Sequence, residues 1–93
     1  MDYNIIYDVK FRKKLKSIYK FIAKDSKNRA DVFVDSLFLK IDDIKFMPYR
    51  YRQNTIKNDT DIRDLIFKGY VVPFLIKDNT IFILNIYKSD LWD

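Results

Sequence analysis

Two amphipathic stretches follow one another in the first half of this chain, and neither can hide its apolar stripe against the other alone. From Val9 to Ala23, the residues Phe11, Leu15, Ile18, Tyr19 and Ile22 recur with a 3.6-residue period, while Lys13, Lys16, Lys20 and Lys24 fall mostly outside that stripe. Phe21 also lies off it. In the second stretch Ala30, Phe33, Val34, Leu37, Ile41 and Ile44 line one side, and Asp31, Asp35, Asp42 and Lys45 the other. Asp25-Ser26-Lys27-Asn28 separates the two, which predicts an antiparallel helical hairpin. Asp8 is the expected cap of the first helix and Asn28 of the second, whose end falls at Met47-Pro48 because a residue before proline is pushed out of helical geometry. The apolar area left over needs a sheet to cover it.

The remaining sequence supplies that sheet. Tyr3 to Tyr7 reads as a first strand, and Ile62 to Phe67 as another, with Arg63, Leu65 and Phe67 facing one way and Ile62, Asp64 and Ile66 the other. Lys68-Gly69 is a turn at the only glycine. Tyr70 to Ile76 is a nearly unbroken apolar strand, and Lys77-Asp78-Asn79-Thr80 turns the chain into a last strand, Ile81 to Ile86. Pro48 to Asp61 reads as a polar loop with a short strand near Thr55-Ile56. The predicted order is β-α-α-β-β-β: an α+β fold in one domain over residues 1–93, with a helical hairpin on a mainly antiparallel sheet. Pro73 is the awkward residue. It must sit at a bulge, or where its missing N–H has no partner.

Composition narrows the chemistry. There is no Cys and no His, so disulfides are excluded and neither a transition-metal site nor any cofactor is expected. Every acidic residue is Asp, and proton transfer would fall to Asp, Lys, Tyr or Arg. A single glycine leaves no phosphate-cradling loop, which counts against a small metabolic enzyme. No leader or membrane-length apolar run is visible, so a cytoplasmic protein is expected. The formal charge of +5 is concentrated in residues 1–24, where seven Lys and Arg face two Asp. Such a stretch either keeps a small domain solvated or meets an anionic partner.

With these elements in order, the chain resembles the RelE/ParE superfamily of bacterial toxins from type II toxin–antitoxin pairs. The resemblance rests on the Lys-rich helix Asp8 to Ala23, on Ile44-Lys45-Phe46-Met47-Pro48, on Ile62-Arg63-Asp64-Leu65-Ile66-Phe67-Lys68-Gly69-Tyr70, and on the closing hairpin through Ile86. It implies a toxin neutralised by a cognate antitoxin, with a homodimer or a toxin–antitoxin hetero-oligomer as the assembly. Within the superfamily, RelE-like members cleave messenger RNA on the ribosome and ParE-like members poison DNA gyrase. This sequence has Val71 and Leu75 where the family often has basic residues, and Tyr87-Lys88-Ser89-Asp90 in place of a His or arginine cluster. These departures favour the ParE-like activity. A nucleic-acid-binding or decayed toxin-like module without catalysis is a further alternative.

Candidate residues follow from both lines. A nuclease would draw on Arg63, Lys68, Tyr87 and Lys88, with a Tyr or Lys base brought down several units from about 10. Target contacts would fall on Arg50, Arg52, Arg63, Lys68 and Lys88, since Arg50 and Arg52 alternate with Tyr49 and Tyr51 in a pattern suited to stacking and phosphate contact. Arg63 could instead pair with Asp61 or Asp64 at the sheet margin. Antitoxin contacts are expected at Lys13, Lys16, Lys20 and Trp92, by helix-in-groove docking or extension of a sheet edge.

Overall fold

The computed structural model describes residues 3–57 and 59–89, so Trp92 lies outside the described residues. Strand β1 (Asn4–Tyr7) leads into helix α1 (Val9–Ala23) and helix α2 (Lys27–Asp43). Two 3-10 turns follow, Ile44–Phe46 and Pro48–Arg50. Then come β2 (Arg52–Gln53), β3 (Ile62–Phe67), β4 (Tyr70–Lys77), β5 (Thr80–Ile83) and β6 (Tyr87–Lys88).

Helix boundaries have local causes. The Asp8 carboxylate accepts from the Lys10 N–H at 2.8 Å, satisfying one free donor of the first turn. Ser26, not Asn28, caps α2: its backbone is extended and its hydroxyl oxygen accepts from the Arg29 N–H at 3.1 Å. Helical geometry persists through Lys24, so the link between helices is short and Asn28 already lies within the first turn. The α-helix ends at Asp43, earlier than expected, and a tighter turn carries the chain to Met47, which has left helical geometry (φ −152°, ψ 74°) ahead of Pro48.

The sheet runs β1-β5-β4-β3-β2. β1 is parallel to β5, and the other pairs are antiparallel. Both hairpin turns are two residues long with left-handed backbone, Lys68 and Gly69 in one (φ 48° and 84°), Asp78 and Asn79 in the other (φ 50° and 63°). That geometry matches the twist of the flanking strands. The short strand falls at Arg52–Gln53 and not at Thr55-Ile56, because Asn54 folds the next residues into a turn: its Oδ1 accepts from the N–H groups of Ile56 and Lys57.

Pro73 explains why the last strand is broken. Leu84 donates its N–H to the Pro73 carbonyl at 2.9 Å, and proline has no N–H to return the bond. The ladder between β4 and β5 stops at Phe74–Ile83, and β6 resumes against Tyr70 and Val71 on the same side of β4. Ile81 to Ile86 is therefore one strand and an irregular step.

Both helices cover one face of the sheet. Phe11 and Leu15 from α1, with Phe33, Leu37 and Ile41 from α2, meet Leu65, Phe67, Val72, Phe74, Ile76, Ile81 and Ile83 in one buried cluster. Aromatic rings lock its two ends: Tyr7, Phe11 and Phe38 at one, and Phe33 against Phe67 and Tyr70 at 5.3 and 5.5 Å at the other.

Candidate interaction surfaces

Strand register decides which residues occupy the sheet face opposite the helices. Ile6, Phe82, Leu75 and Ile62 form one cross-strand row there, and Ile66, Val71 and Tyr87 another. Between them lies Asp64, paired in register with Arg52 and Pro73. Asp64 is the charged residue this face buries. Its carboxylate accepts from Asn54 Nδ2 at 2.7 Å and from Arg52 Nε at 3.2 Å, and Asn54 is itself buried. Arg52 remains half exposed.

Beside this cluster is a concavity of about 380 Å³, lined among others by Lys10, Asn54, Lys57, Asn85 and Tyr87. Burial first, and the charge of Asp64 next, push the Tyr87 phenol above its ordinary value, against the smaller pull of Asn54 and Arg52. That is the wrong direction for a general base. Every resolved shift among the described residues also leads away from neutral pH: Tyr7, Tyr19 and Tyr49 are raised, Lys27 and Arg50 are raised, and Asp31 is lowered.

Arg50, Arg52 and Arg63 gather at one end of β3 and are engaged there. Arg63 pairs with neither Asp61 nor Asp64. Its Nε donates to the Thr60 carbonyl at 2.9 Å, and its Nη1 to the carbonyls of Tyr49 and Tyr51 at 3.0 Å each, with the guanidinium over the Tyr49 ring. The planar fork thus ties the loop after α2 to the sheet. Arg50 pairs with Asp43 at 3.0 Å and lies over Tyr51. The Arg–Tyr alternation is satisfied within the molecule.

Lys68 and Lys88 sit at the opposite end. Lys68, in the β3–β4 turn, lies over Phe67, and Lys88 over Tyr70. Along a strand rising ~3.3 Å per residue, Arg63 and Lys68 are roughly 16 Å apart. Tyr87 and Lys88 are neighbours in β6, opposite Val71 and Tyr70, so they face opposite sides of the sheet. The four nuclease candidates do not converge on one point.

On the helix side, a shallow groove between α1 and α2 is lined by Phe11, Leu15, Tyr19, Val34 and Phe38, with Arg12 and Lys16 at its rim. Lys13 and Lys20 are exposed on α1. A second groove, between α1 and β6, carries Phe21, 69% exposed, with Lys14 and Lys88 beside it. Sequence reasoning did not anticipate Asn54 as a buried hinge of the site. The only signal was the strand alternation that places Asp64 opposite Arg63 and so in need of another partner.

The family model described as "ParE toxin of type II toxin-antitoxin system, parDE" matches residues 5–90. The chain belongs to the ParE toxin family. No curated protein matches this ParE-family chain significantly in sequence. Among solved structures, a chain of the chromosomal ParDE TA system from P. aeruginosa is 16% identical and superposes with a TM-score of 0.77. The match covers 95% of this ParE-family chain and 97% of the other. At that identity the likeness speaks for the fold, which is the helical hairpin on a mixed sheet described above.

Proposed function

We propose that this ParE-family toxin acts in the cytoplasm by binding a macromolecular target, DNA gyrase, without cutting RNA, and that a cognate antitoxin neutralises it. The observation that carries the reading is the state of the Asp64 cluster. Cleavage of RNA needs a base for the 2′-hydroxyl and free positive charge for the phosphate. At this cluster the phenol of Tyr87 is pushed up, away from the range of a base, and Arg52 is ion-paired to a buried carboxylate, so Lys10 and Lys57 beside it have no base to work with. For the antitoxin, the groove between α1 and α2 supplies apolar contact, with Lys16 on its rim and Lys13 and Lys20 beyond it. Among the described residues no helix is long and apolar enough to cross a membrane, consistent with targets of this kind.

Regulated expression with cleavage mapping of translated messages, together with a gyrase supercoiling assay on the purified protein, tests the proposal. Growth arrest with trapped gyrase–DNA complexes is the expected result. Cuts at codon positions in messages, with gyrase unaffected, would overturn it.

A further inference from the structure

We propose that the outward ridge of α1 contacts duplex DNA directly through its phosphate backbone. The inference rests in part on the reading of the chain as a toxin whose target handles DNA, and adds a contact which that reading does not name.

The helix Val9–Ala23 carries Lys10, Arg12, Lys13, Lys14, Lys16 and Lys20 and no acidic residue, and Lys24 extends the series. All seven are exposed, and none forms an ion pair among the described residues. The density of like charge with no acidic residue between sets α1 apart, since the cations elsewhere that form no ion pair among the described residues, such as Lys40, Lys57 and Lys77, stand singly. α2 pairs Lys27 with Asp31, and the arginines near the sheet pair with Asp43 and Asp64. α1 instead sets cations three and four residues apart, as at Lys10 with Lys13 and Lys14, where like charges on one helix face repel. Lys10 and Arg12 also stand in the first turn, where the helix dipole disfavours them. A helix that retains this repulsion, with only the Asp8 cap and the Tyr7 ring beneath Arg12 to offset it, is suited to an external anion.

Geometry selects the kind of anion. At about 100° per residue, Lys10, Lys13, Lys20 and Lys24 fall on the side of α1 away from Phe11, Leu15, Ile18 and Ile22, with Lys14 and Lys16 on its two flanks, and their ridge runs about 21 Å. Its exposed apolar side chains are Val9, at the N-terminal end, and Phe21, on the flank, and the two make no continuous anchor. A protein partner needs apolar anchors, and a single strand needs stacking platforms. A duplex backbone needs cations alone. A convex helix fits the wide major groove of B-DNA, whereas that of A-form RNA is too narrow.

The test is fluorescence polarisation of a mixed-sequence 20-base-pair DNA duplex titrated with the purified full chain over a range of KCl concentrations. Each neutralised phosphate contributes a slope of about −0.9 in log K against log salt. K13Q/K20Q is therefore expected to make the slope shallower by nearly 2, with unchanged thermal unfolding, while K40Q/K77Q, with the same loss of charge elsewhere, leaves it as it was. The inference is overturned by absent duplex binding, by equal slopes for the two double variants, by equal affinity for single-stranded DNA or duplex RNA, or by polyglutamate binding where duplex does not bind. The supercoiling assay separates this from the target reading. If gyrase stops with no duplex binding, the ridge inference alone falls; if the duplex binds as expected while gyrase keeps turning, the target reading alone falls.

Discussion

Asn54 holds Asp64 from one side, its Nδ2 donating to the buried carboxylate at 2.7 Å, while its Oδ1 accepts two backbone N–H groups of the following turn. One side chain thus satisfies a buried charge and shapes the loop that adjoins it. Removing it leaves three groups short of a partner. Asn54→Ala is expected to cost about 2–3 kcal/mol, read as a lower midpoint in urea unfolding. A loss below about 0.5 kcal/mol would show that water replaces these bonds.

Arg63 is expected to act through structure. Lys in its place offers a compact charge that cannot reproduce the fork to three carbonyls, so Arg63→Lys should lower stability by about 1–2 kcal/mol despite keeping the charge. Thermal unfolding checks this. Unchanged unfolding combined with lost growth arrest would assign Arg63 to target contact instead.

The two helices are stapled by Tyr19, whose hydroxyl donates to Asp31 at 2.6 Å beside the Lys27–Asp31 ion pair. The Tyr19 bond first, and the Lys27 bond next, hold the Asp31 carboxyl below its ordinary 3.8. A carboxyl depressed in the folded state contributes stability above its unfolded pKa, and that contribution is lost as pH falls through the folded one. The bond to Asp31 chiefly raises the Tyr19 phenol, so its contribution is present below pH 10 and lost as pH rises through the folded value. Tyr19→Phe should flatten both the acid and the alkaline limbs of stability against pH, measured by urea unfolding from pH 2 to 12. Limbs as steep as those of the wild type would contradict the staple.

Lys68 and Gly69 share a left-handed turn, φ 48° and 84°, with open space where a glycine Cβ would sit. Gly69→Ala should therefore cost about 1 kcal/mol for backbone conformation alone. Lys68→Asn places a residue suited to that geometry and is expected to leave stability unchanged or raise it by a few tenths of a kcal/mol. If Lys68 contacts the target, the same variant arrests growth less at equal protein levels. Full arrest would remove Lys68 from the contact set.

Tyr87→Phe separates binding from catalysis. With the phenol held protonated, the hydroxyl supplies no base, and growth arrest is expected to survive within about twofold, since a lost general base would cost about 10²–10⁴ in rate. Arrest abolished in a variant that unfolds like the wild type would favour RNA cleavage.

The amino-acid sequence alone determined the two helices with the stripe each buries, and the strands Ile62 to Phe67 and Tyr70 to Ile76, but it drew the last strand through to Ile86 where the ladder with β4 ends at Ile83. Those depend on periodicity, on caps and on turn residues within a few positions of one another, as in Phe11 to Ile22 or Asp78-Asn79. The arginine-containing strand and the turn after it were also enough to suggest the family. Tertiary structure decided the rest. The pairing of β1 with β5, the break opposite Pro73, and the choice of Arg52 over Arg63 as the partner of Asp64 depend on which strands become neighbours. Sequence spacing does not encode that when partners lie 12 or more positions apart. The same cause scattered Arg63, Lys68, Tyr87 and Lys88 over two ends and two faces of one sheet, since a strand carries nearby residues apart at ~3.3 Å per step and turns alternate side chains away from each other.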